Sequence, residues 1–266
     1  LSDDIQTVTQ YYNPTGSLST WYAGRRMGEI WGYTTTGIAK TNEEMNEHLK
    51  TNRPSWGDNW QAGDIMYKDL NGDDTVNGGA NTLSDHGDLR RLGYNAPRFK
   101  VGFNADLTWQ GLDFSFFLQG VGRRDWFDNS PYSVGATSHG QWQSVGFKEH
   151  WDFFRPEGDP NGANLNARYP RPLFEKGAKN MQTQSRYVVN AAYLRIKNIQ
   201  LGYTLPASLT KKIGVSRLRV YTSADNLVTF TKLPKIFDPE ATGGDWGPGK
   251  IYPLQRVISC GLNVNI

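Results

Sequence analysis

Phe99-Lys100-Val101-Gly102-Phe103-Asn104-Ala105-Asp106-Leu107-Thr108-Trp109-Gln110-Gly111-Leu112-Asp113-Phe114-Ser115-Phe116-Phe117-Leu118-Gln119 decides the reading of this chain. In its first half Phe99, Val101, Phe103, Ala105, Leu107 and Trp109 alternate with Lys100, Gly102, Asn104, Asp106 and Thr108. Side chains of a strand point to opposite faces in turn, so strict period-2 alternation predicts a strand with one apolar and one polar face. Gln110-Gly111 is a two-residue hairpin signal, and Leu112, Phe114, Phe116 and Leu118 then alternate against Asp113, Ser115 and Gln119. Two strands of about ten residues, tightly joined, are expected.

Towards the C-terminus the same pattern returns three times. In Tyr193 to Leu205, Leu194 and Ile196 lie on one phase and Ile199, Leu201 and Tyr203 on the other. A β-bulge near Asn198 reconciles them. Pro206 to Gly214 form a short connection, and Leu218, Val220, Thr222, Ala224, Val228 and Phe230 then share a phase opposite Arg217, Arg219, Ser223 and Asp225. Ile258, Cys260, Leu262, Val264 and Ile266 alternate to the end of the chain. Between these runs, residues 123 to 190 and 231 to 253 lose the alternation and fill with Gly, Pro, Asn, Trp and charge, as long loops do. Residues 1 to 98 show short apolar runs without a sustained period and read as a long loop-like region. One short helix is expected over 42–50, with Thr41 or Asn42 as cap and Glu43 and Glu44 in its first turn.

Composition agrees with strands and turns. The 266 residues include 9 Trp, 13 Tyr, 12 Phe, 29 Gly and 13 Pro. A net charge of +3, with both signs interleaved, carries no electrostatic footprint for nucleic acid. The single cysteine, Cys260, excludes an internal disulfide. No apolar run approaches the roughly 18 residues of a membrane helix, which leaves a β-barrel open because its strands average out in hydropathy. The chain opens Leu1-Ser2-Asp3-Asp4, without an initiator Met or a signal peptide, and is expected to be either mature or a fragment.

Five strands of this length exceed the usual globular strand of about five or six residues and match the roughly 9–11 that cross a bilayer at a tilt. Connections alternate short and long, so the short turns fall at one end and the long loops at the other, as in transmembrane barrels. That parity places the C-terminus on the short-turn, periplasmic side. About eight strands is the smallest barrel, so five cannot close one, and further strands are required. A soluble β-sandwich or jelly roll accounts equally well for the alternation taken alone.

Several segments resemble SusC/RagA-family TonB-dependent outer-membrane transporters. Met27-Gly28-Glu29-Ile30-Trp31-Gly32-Tyr33 leading to Gly37-Ile38 is similar to a glycine-aromatic loop of that family, and Gly63-Asp64-Ile65-Met66-Tyr67-Lys68-Asp69-Leu70-Asn71-Gly72-Asp73 resembles one of its motifs. Ala96-Pro97-Arg98-Phe99, Phe116 to Gly120, the run from Tyr193 through Leu205-Pro206, Asp225-Asn226-Leu227, Phe237-Asp238-Pro239-Glu240 and Tyr252-Pro253 continue the resemblance in family order. It implies an all-β fold: the C-terminal portion, about five antiparallel strands with long extracellular loops, of a 22-stranded transmembrane β-barrel. Residues 1–98 would form an extracellular loop region, and residues 99–266 the last barrel strands with two further long extracellular loops.

The resemblance further implies an internal plug and a TonB-binding segment upstream, a SusD-like surface lipoprotein as partner, and the outer membrane of a Gram-negative bacterium as location. The last residue, Ile266, departs from the aromatic with which such barrels usually end.

Candidate sites are few. Asp69, Asn71 and Asp73 have the spacing of positions 1, 3 and 5 of a calcium loop, with the Thr75 carbonyl at position 7. Ala80 stands at the twelfth position, so the last ligand has to come from Asp85 or Asp88, and the resemblance favours Asp88. The same spacing also makes a solvated turn that caps its own backbone. His86, His139 and His150 fit no zinc spacing, and no catalytic set is expected. Trp126, Phe127, Trp142, Trp151, Phe153, Phe154 and Trp246 offer faces that stack on a sugar or contact a peptide, or else pack loop on loop. Lys100, Asn104, Asp106, Asp113, Arg217, Arg219 and Asp225 should face the lumen if the apolar phase faces lipid.

The expected function is import of an oligomeric nutrient, glycan or oligopeptide, with no chemistry on the cargo. The alternatives are a soluble secreted β-sandwich binding module or carbohydrate-active enzyme, and a purely structural barrel segment.

Overall fold

The computed structural model describes residues 4–5, 8, 12–127, 148–173, 177–242 and 252–266. In chain order its strands are β1 (Glu29–Tyr33), β2 (Thr35–Ile38), β3 (Arg53–Pro54), β4 (Ile65–Tyr67), β5 (Thr75–Val76), β6 (Leu89–Tyr94), β7 (Phe99–Trp109), β8 (Leu112–Gly122), β9 (Asp125–Trp126), β10 (Val189–Asn190), β11 (Tyr193–Thr204), β12 (Arg217–Thr231) and β13 (Val257–Asn265). Among the described residues there are also three short α-helices, α1 (Asn42–His48), α2 (Gly177–Asn180) and α3 (Ala207–Thr210), and a few 3₁₀ turns. Among the described residues no helix is long and apolar enough to cross a membrane, which says nothing of a barrel. Contacts divide the chain into two compact units, residues 1–96 with 125–189, and residues 97–124 with 190–266.

The second unit is a five-stranded antiparallel sheet in the order β13-β12-β11-β8-β7. Its five strands are the five predicted from alternation. Gln110 and Gly111, both at positive φ (48° and 89°), make the tight turn between β7 and β8. The short connection expected at 206–214 holds α3 and a 3₁₀ turn over Lys211–Ile213, ended by left-handed Gly214.

The predicted bulge lies between Ile196 and Asn198 in β11 and extends into β12. Between the rows Leu118–Ile196–Val228 and Phe116–Ile199–Ala224, β8 contributes Phe117, β11 contributes Lys197 and Asn198, and β12 contributes Asp225 to Leu227. Each added residue bends its strand and increases the local twist, the device by which a sheet curls towards a barrel wall.

Register keeps every row on its own face. Trp109, Leu112, Tyr203, Val220 and Leu262 stand side by side across the sheet, while Asp106, Ser115, Gln200, Ser223 and Ser259 form a row on the other face. The apolar face is open, with Trp109 68% and Leu262 66% exposed. Each outermost strand, β7 and β13, has only one strand partner among the described residues, so the sheet does not close.

The first unit has its own core of Tyr33, Ile38, Ile65, Tyr67, Val76, Phe154, Tyr169, Met181 and Tyr187. Residues 29–94, read as loop-like, hold six short strands that pair β1 with β6, β2 with β4 and β3 with β5. They run from two to six residues, too short to establish a period, and their order comes from tertiary packing. The predicted helix is present: Thr41 Oγ1 accepts the Glu44 N–H at 3.1 Å, and Glu44 Oε2 reaches back to the Lys40 N–H at 2.6 Å. Met45 is the residue of α1 that is buried.

Candidate functional site

The polar face of the sheet carries all seven strand residues expected to share a side. Asp113 of β8 and Arg219 of β12 pair across β11, with Arg219 Nε donating to Asp113 Oδ1 at 2.9 Å and its Nη2 bonding Asp113 Oδ2. The pair passes over Gly202, where an added Cβ would lie 2.6 Å from Asp113 Oδ2. Glycine is required here because the ion pair occupies the place of a side chain. Asn104 donates to Asp106 at 2.8 Å, and Asn198 to Asp225 at 2.7 Å beside the bulge.

At the long-connection end of the same face, Arg195 is buried and surrounded by partners from β12 and the connection that follows it. Its Nη2 donates to Asp238 Oδ1 at 2.8 Å, its Nε to Thr229 Oγ1 at 2.6 Å, and its Nη1 lies 2.7 Å from Glu240 Oε1. Lys197 Nζ meets Glu240 Oε2 at 3.0 Å, and Arg124 Nη1 donates to the Pro239 carbonyl at 3.1 Å. Four charges of alternating sign therefore fold residues 237–240 back against the sheet. Two cavities flank this knot: one of about 530 Å³ beside Lys100, Gln119, Tyr193 and Glu240, and one of about 580 Å³ beside Arg195, Asn226, Lys235 and Arg256. Sequence reasoning did not mark Arg195, Lys197, Asp238 and Glu240 as a site. Their 43-residue separation leaves no local signal beyond cations on the polar phase of a strand.

In the first unit the carboxylate of Asp64 is fully buried and multiply bonded. Arg171 donates to it through Nε (2.9 Å) and Nη2 (3.1 Å), Asn180 Nδ2 at 3.0 Å and the Gln61 N–H at 2.9 Å, while Lys179 Nζ pairs with it at 2.8 Å. Burial pushes the Lys179 amine below its ordinary value, against the pull of the Asp64 carboxylate. A second knot joins Tyr22, Glu29, Trp31 and Arg91. Tyr22 Oη donates to Glu29 Oε2 at 2.5 Å, Trp31 Nε1 donates to the same oxygen at 3.0 Å, and Arg91 Nη1 donates to Oε1 at 3.0 Å. Burial, then the bond to Glu29, pushes the Tyr22 phenol up to about 12.

The loop from Asp69 to Thr75 is closed by its own backbone. Asp69 accepts the N–H groups of Asn71 (3.0 Å), Gly72 (2.8 Å) and Asp74 (2.8 Å), and Asp73 accepts that of Thr75 at 2.9 Å. Asp88, fully buried, is brought to the loop by the Leu70 and Asn71 N–H groups and anchored to the Asn77 N–H. Burial raises the Asp69 carboxyl, but the backbone donors outweigh it and hold it below its ordinary value. Among the described residues no three His, Cys, Asp or Glu side chains are grouped as a metal ion needs. Asp69 Oδ1 and Asp88 Oδ1 each accept two N–H groups, whereas Asp69 Oδ2, Asn71 Oδ1, Asp73 Oδ1 and Asp88 Oδ2 accept one each and keep a lone pair, oxygen donors of the kind calcium takes.

Of the aromatic candidates, Trp126 and Phe154 are buried, whereas Trp151 is exposed, with its ring edge-on to Phe153 at 5.8 Å and under the Arg155 guanidinium. Trp142, Trp246 and His139 lie outside the described residues. His150 is buried against Tyr169, and His86 Nδ1 is bonded by Arg90 at 3.0 Å. Among the described residues neither His86 nor His150 belongs to a metal-holding group of His, Cys, Asp and Glu side chains.

No family model matches the chain. Among curated proteins it is similar to TonB-dependent receptor P3 of Formosa agariphila, 28% identical over 254 residues covering 91% of this chain and 22% of that protein. TonB-dependent receptor P26 of the same organism is 28% identical over 76% of this chain and 20% of its own length. Among solved structures the chain is similar to the RagAB peptide importer in its open-open state, with a TM-score of 0.61 and 22% identity over 96% of this chain and 24% of that one. The RagAB peptide transporter gives a TM-score of 0.60 at 22% identity, over 95% and 24%. The chain thus spans about a fifth to a quarter of the proteins it matches. The resemblance to SusC/RagA-like TonB-dependent transporters drawn from the motifs is borne out, and the five-stranded sheet is a portion of an all-β barrel.

Proposed function

We propose that this chain supplies the last strands and three external loops of a TonB-dependent outer-membrane transporter that imports an oligomeric nutrient. The observation that carries this reading is a sheet of five long strands with one open apolar face, one ion-paired polar face and unclosed edges. A water-soluble sandwich would have to cover the apolar face with a second sheet. In a barrel that face meets lipid, and the polar face lines the lumen.

In this reading the turn at Gln110-Gly111, the connection at 206–214 and the C-terminus lie on the periplasmic side. Residues 1–98, 123–190 and 231–253 lie outside the cell. The rest of the barrel, the plug and the TonB-coupling segment belong to other parts of the transporter, and a SusD-like lipoprotein covers its mouth. Similarity to the RagAB peptide importer favours oligopeptide cargo, with a glycan as the other candidate. Of the two described tryptophans among the candidates, Trp126 is buried and Trp151 is exposed, so Trp151 is the one offered to cargo or lid. No chemistry on the cargo belongs to this reading. Calcium held by Asp69, Asn71, Asp73, Thr75 and Asp88 is part of the same proposal, as a brace for an external loop rather than a reactant.

The test is to extract outer membranes in detergent, purify whatever carries this sequence, and measure its intact mass and its co-purifying proteins. A polypeptide several times longer than 266 residues, with a lipoprotein partner, is expected. A species of this chain alone that stays soluble without detergent overturns the reading in favour of a secreted module.

A further inference from the structure

The cavity of about 580 Å³ on the polar side of the second unit lies between the long-connection end of β12 and the segments 233–239 and 253–254. Its charges are unequally committed. Asp238 is the acid in its lining, and both of its oxygens are taken: Oδ1 by Arg195 and the Glu240 N–H, Oδ2 by the Leu254 N–H at 3.2 Å. Arg195 is in turn neutralised by Asp238 and Glu240.

Lys235 and Arg256 also line the cavity, both exposed, and among the described residues neither side chain has a hydrogen bond or ion pair. Asn226, held in a left-handed conformation (φ 51°), donates through Nδ2 to the Gln255 carbonyl. That bond ties the β12 bulge to the chain leading into Arg256.

Two cations without a partner thus line one recess in which the carboxylate among the described lining residues, Asp238, is ion-paired to Arg195. Walls of low dielectric focus such a field, and an arginine fork matches the paired oxygens of an oxyanion while a lysine adds a point charge. We propose that this cavity is a subsite for an anionic oxygen group, a carboxylate or a sulfate or phosphate ester, recognised by Lys235 and Arg256. Arg195 does not bind the anion. It positions the 237–240 segment that forms one wall. The link to cargo rests on the import reading above, because the molecule crossing the polar face would bring the anion, whereas the site itself stands on the cavity and its charges.

The experiment uses the full-length transporter in detergent. Lys235 is acylated and Arg256 is modified with phenylglyoxal in sodium acetate, sodium sulfate or sodium chloride at equal ionic strength, and the rates are read by mass spectrometry with exposed Lys212 as control. Acetate or sulfate is expected to slow modification of Lys235 and Arg256 several-fold relative to chloride and to leave Lys212 unchanged. Stronger protection by acetate assigns a carboxylate, and stronger protection by sulfate assigns an ester. Equal rates in all three salts overturn the site.

A second arm compares uptake of acidic and neutral cargo of equal length by cells carrying Lys235→Gln with Arg256→Gln. A fall of about tenfold in the acidic-to-neutral ratio is expected. An unchanged ratio with normal neutral uptake overturns the role in cargo selection and leaves transport standing. If the parent transports neither cargo, the import reading fails, and the protection experiment still decides the site.

Discussion

Replacing Asp64 with alanine should loosen the first unit more than any other single change in its polar interior. The Asp64 carboxylate has no exposure and holds Arg171, Lys179, Asn180 and the Gln61 N–H. Lys179 is itself buried, with the side chain 4% exposed, so loss of the carboxylate leaves an ammonium without its counter-charge. Removing one partner of a buried ion pair costs about 3–5 kcal/mol, because the remaining charge stays desolvated. At about 1.4 kcal/mol per tenfold, local opening should become roughly 10²-fold to a few thousand-fold more frequent.

Hydrogen exchange read by mass spectrometry on the detergent-purified transporter measures this directly. The reporters are the amides of Gly63, bonded to the Ala39 carbonyl, of Ile65, bonded to Asn180 Oδ1, and of Arg171, bonded to the Gly63 carbonyl. Their protection should fall by that factor in Asp64→Ala. Asp64→Asn, which keeps the shape and an acceptor for Gln61 but not the charge, should lie between the two. Protection within about threefold of the parent in the alanine variant would refute the assignment of this carboxylate as the tie between residues 61–65 and 171–180.

Gly202→Ala should separate Asp113 from Arg219 and lower barrel stability by about 1–3 kcal/mol, read as an earlier midpoint of heat-induced unfolding on gels. Combined with Asp113→Ala it should cost little more, and full additivity would show that the glycine serves something else. Acidification should open the segment around Tyr22–Trp31. Burial raises the Glu29 carboxyl, but bonds from Tyr22, the Arg26 N–H, Arg91 and Trp31 outweigh it and hold the group below its ordinary 4.5. Its stabilisation is therefore complete above that value and is lost as pH falls through the lowered one. Protease cleavage there should begin at a higher pH in Tyr22→Phe, and an identical onset would contradict this. Chelation should raise cleavage within residues 63–93 if calcium braces the loop, and equal cleavage with and without chelator removes the metal from the proposal.

The strands were legible because membrane-length strands with one apolar and one polar face write their period directly into Phe99 to Trp109 and its four successors. The Gln110-Gly111 turn was legible for a related reason, since positive φ at both positions demands such residues. The bulge was readable as a phase slip, but its extension from Lys197-Asn198 to Asp225–Leu227 was not, because register belongs to pairs of strands rather than to one.

Short-range pattern was silent on residues 29–94, whose two- to six-residue strands are ordered by a shared core around Tyr67 and by Asp64 reaching Arg171. The calcium spacing of Asp69 to Thr75 was legible as a motif and the resemblance pointed to Asp88, yet the bonds that turn these carboxylates onto backbone N–H groups were visible only in the fold. Arg195 meeting Asp238 and Glu240, and the free charges of Lys235 and Arg256 beside them, arose from a chain folding back over 43 residues. Sequence by itself determined period, turn chemistry and family resemblance, since these are local and repeat along the chain. Only the tertiary structure decided which charges are neutralised and which stay open, because a charge is answered by whatever lies near it in space, at any distance along the chain.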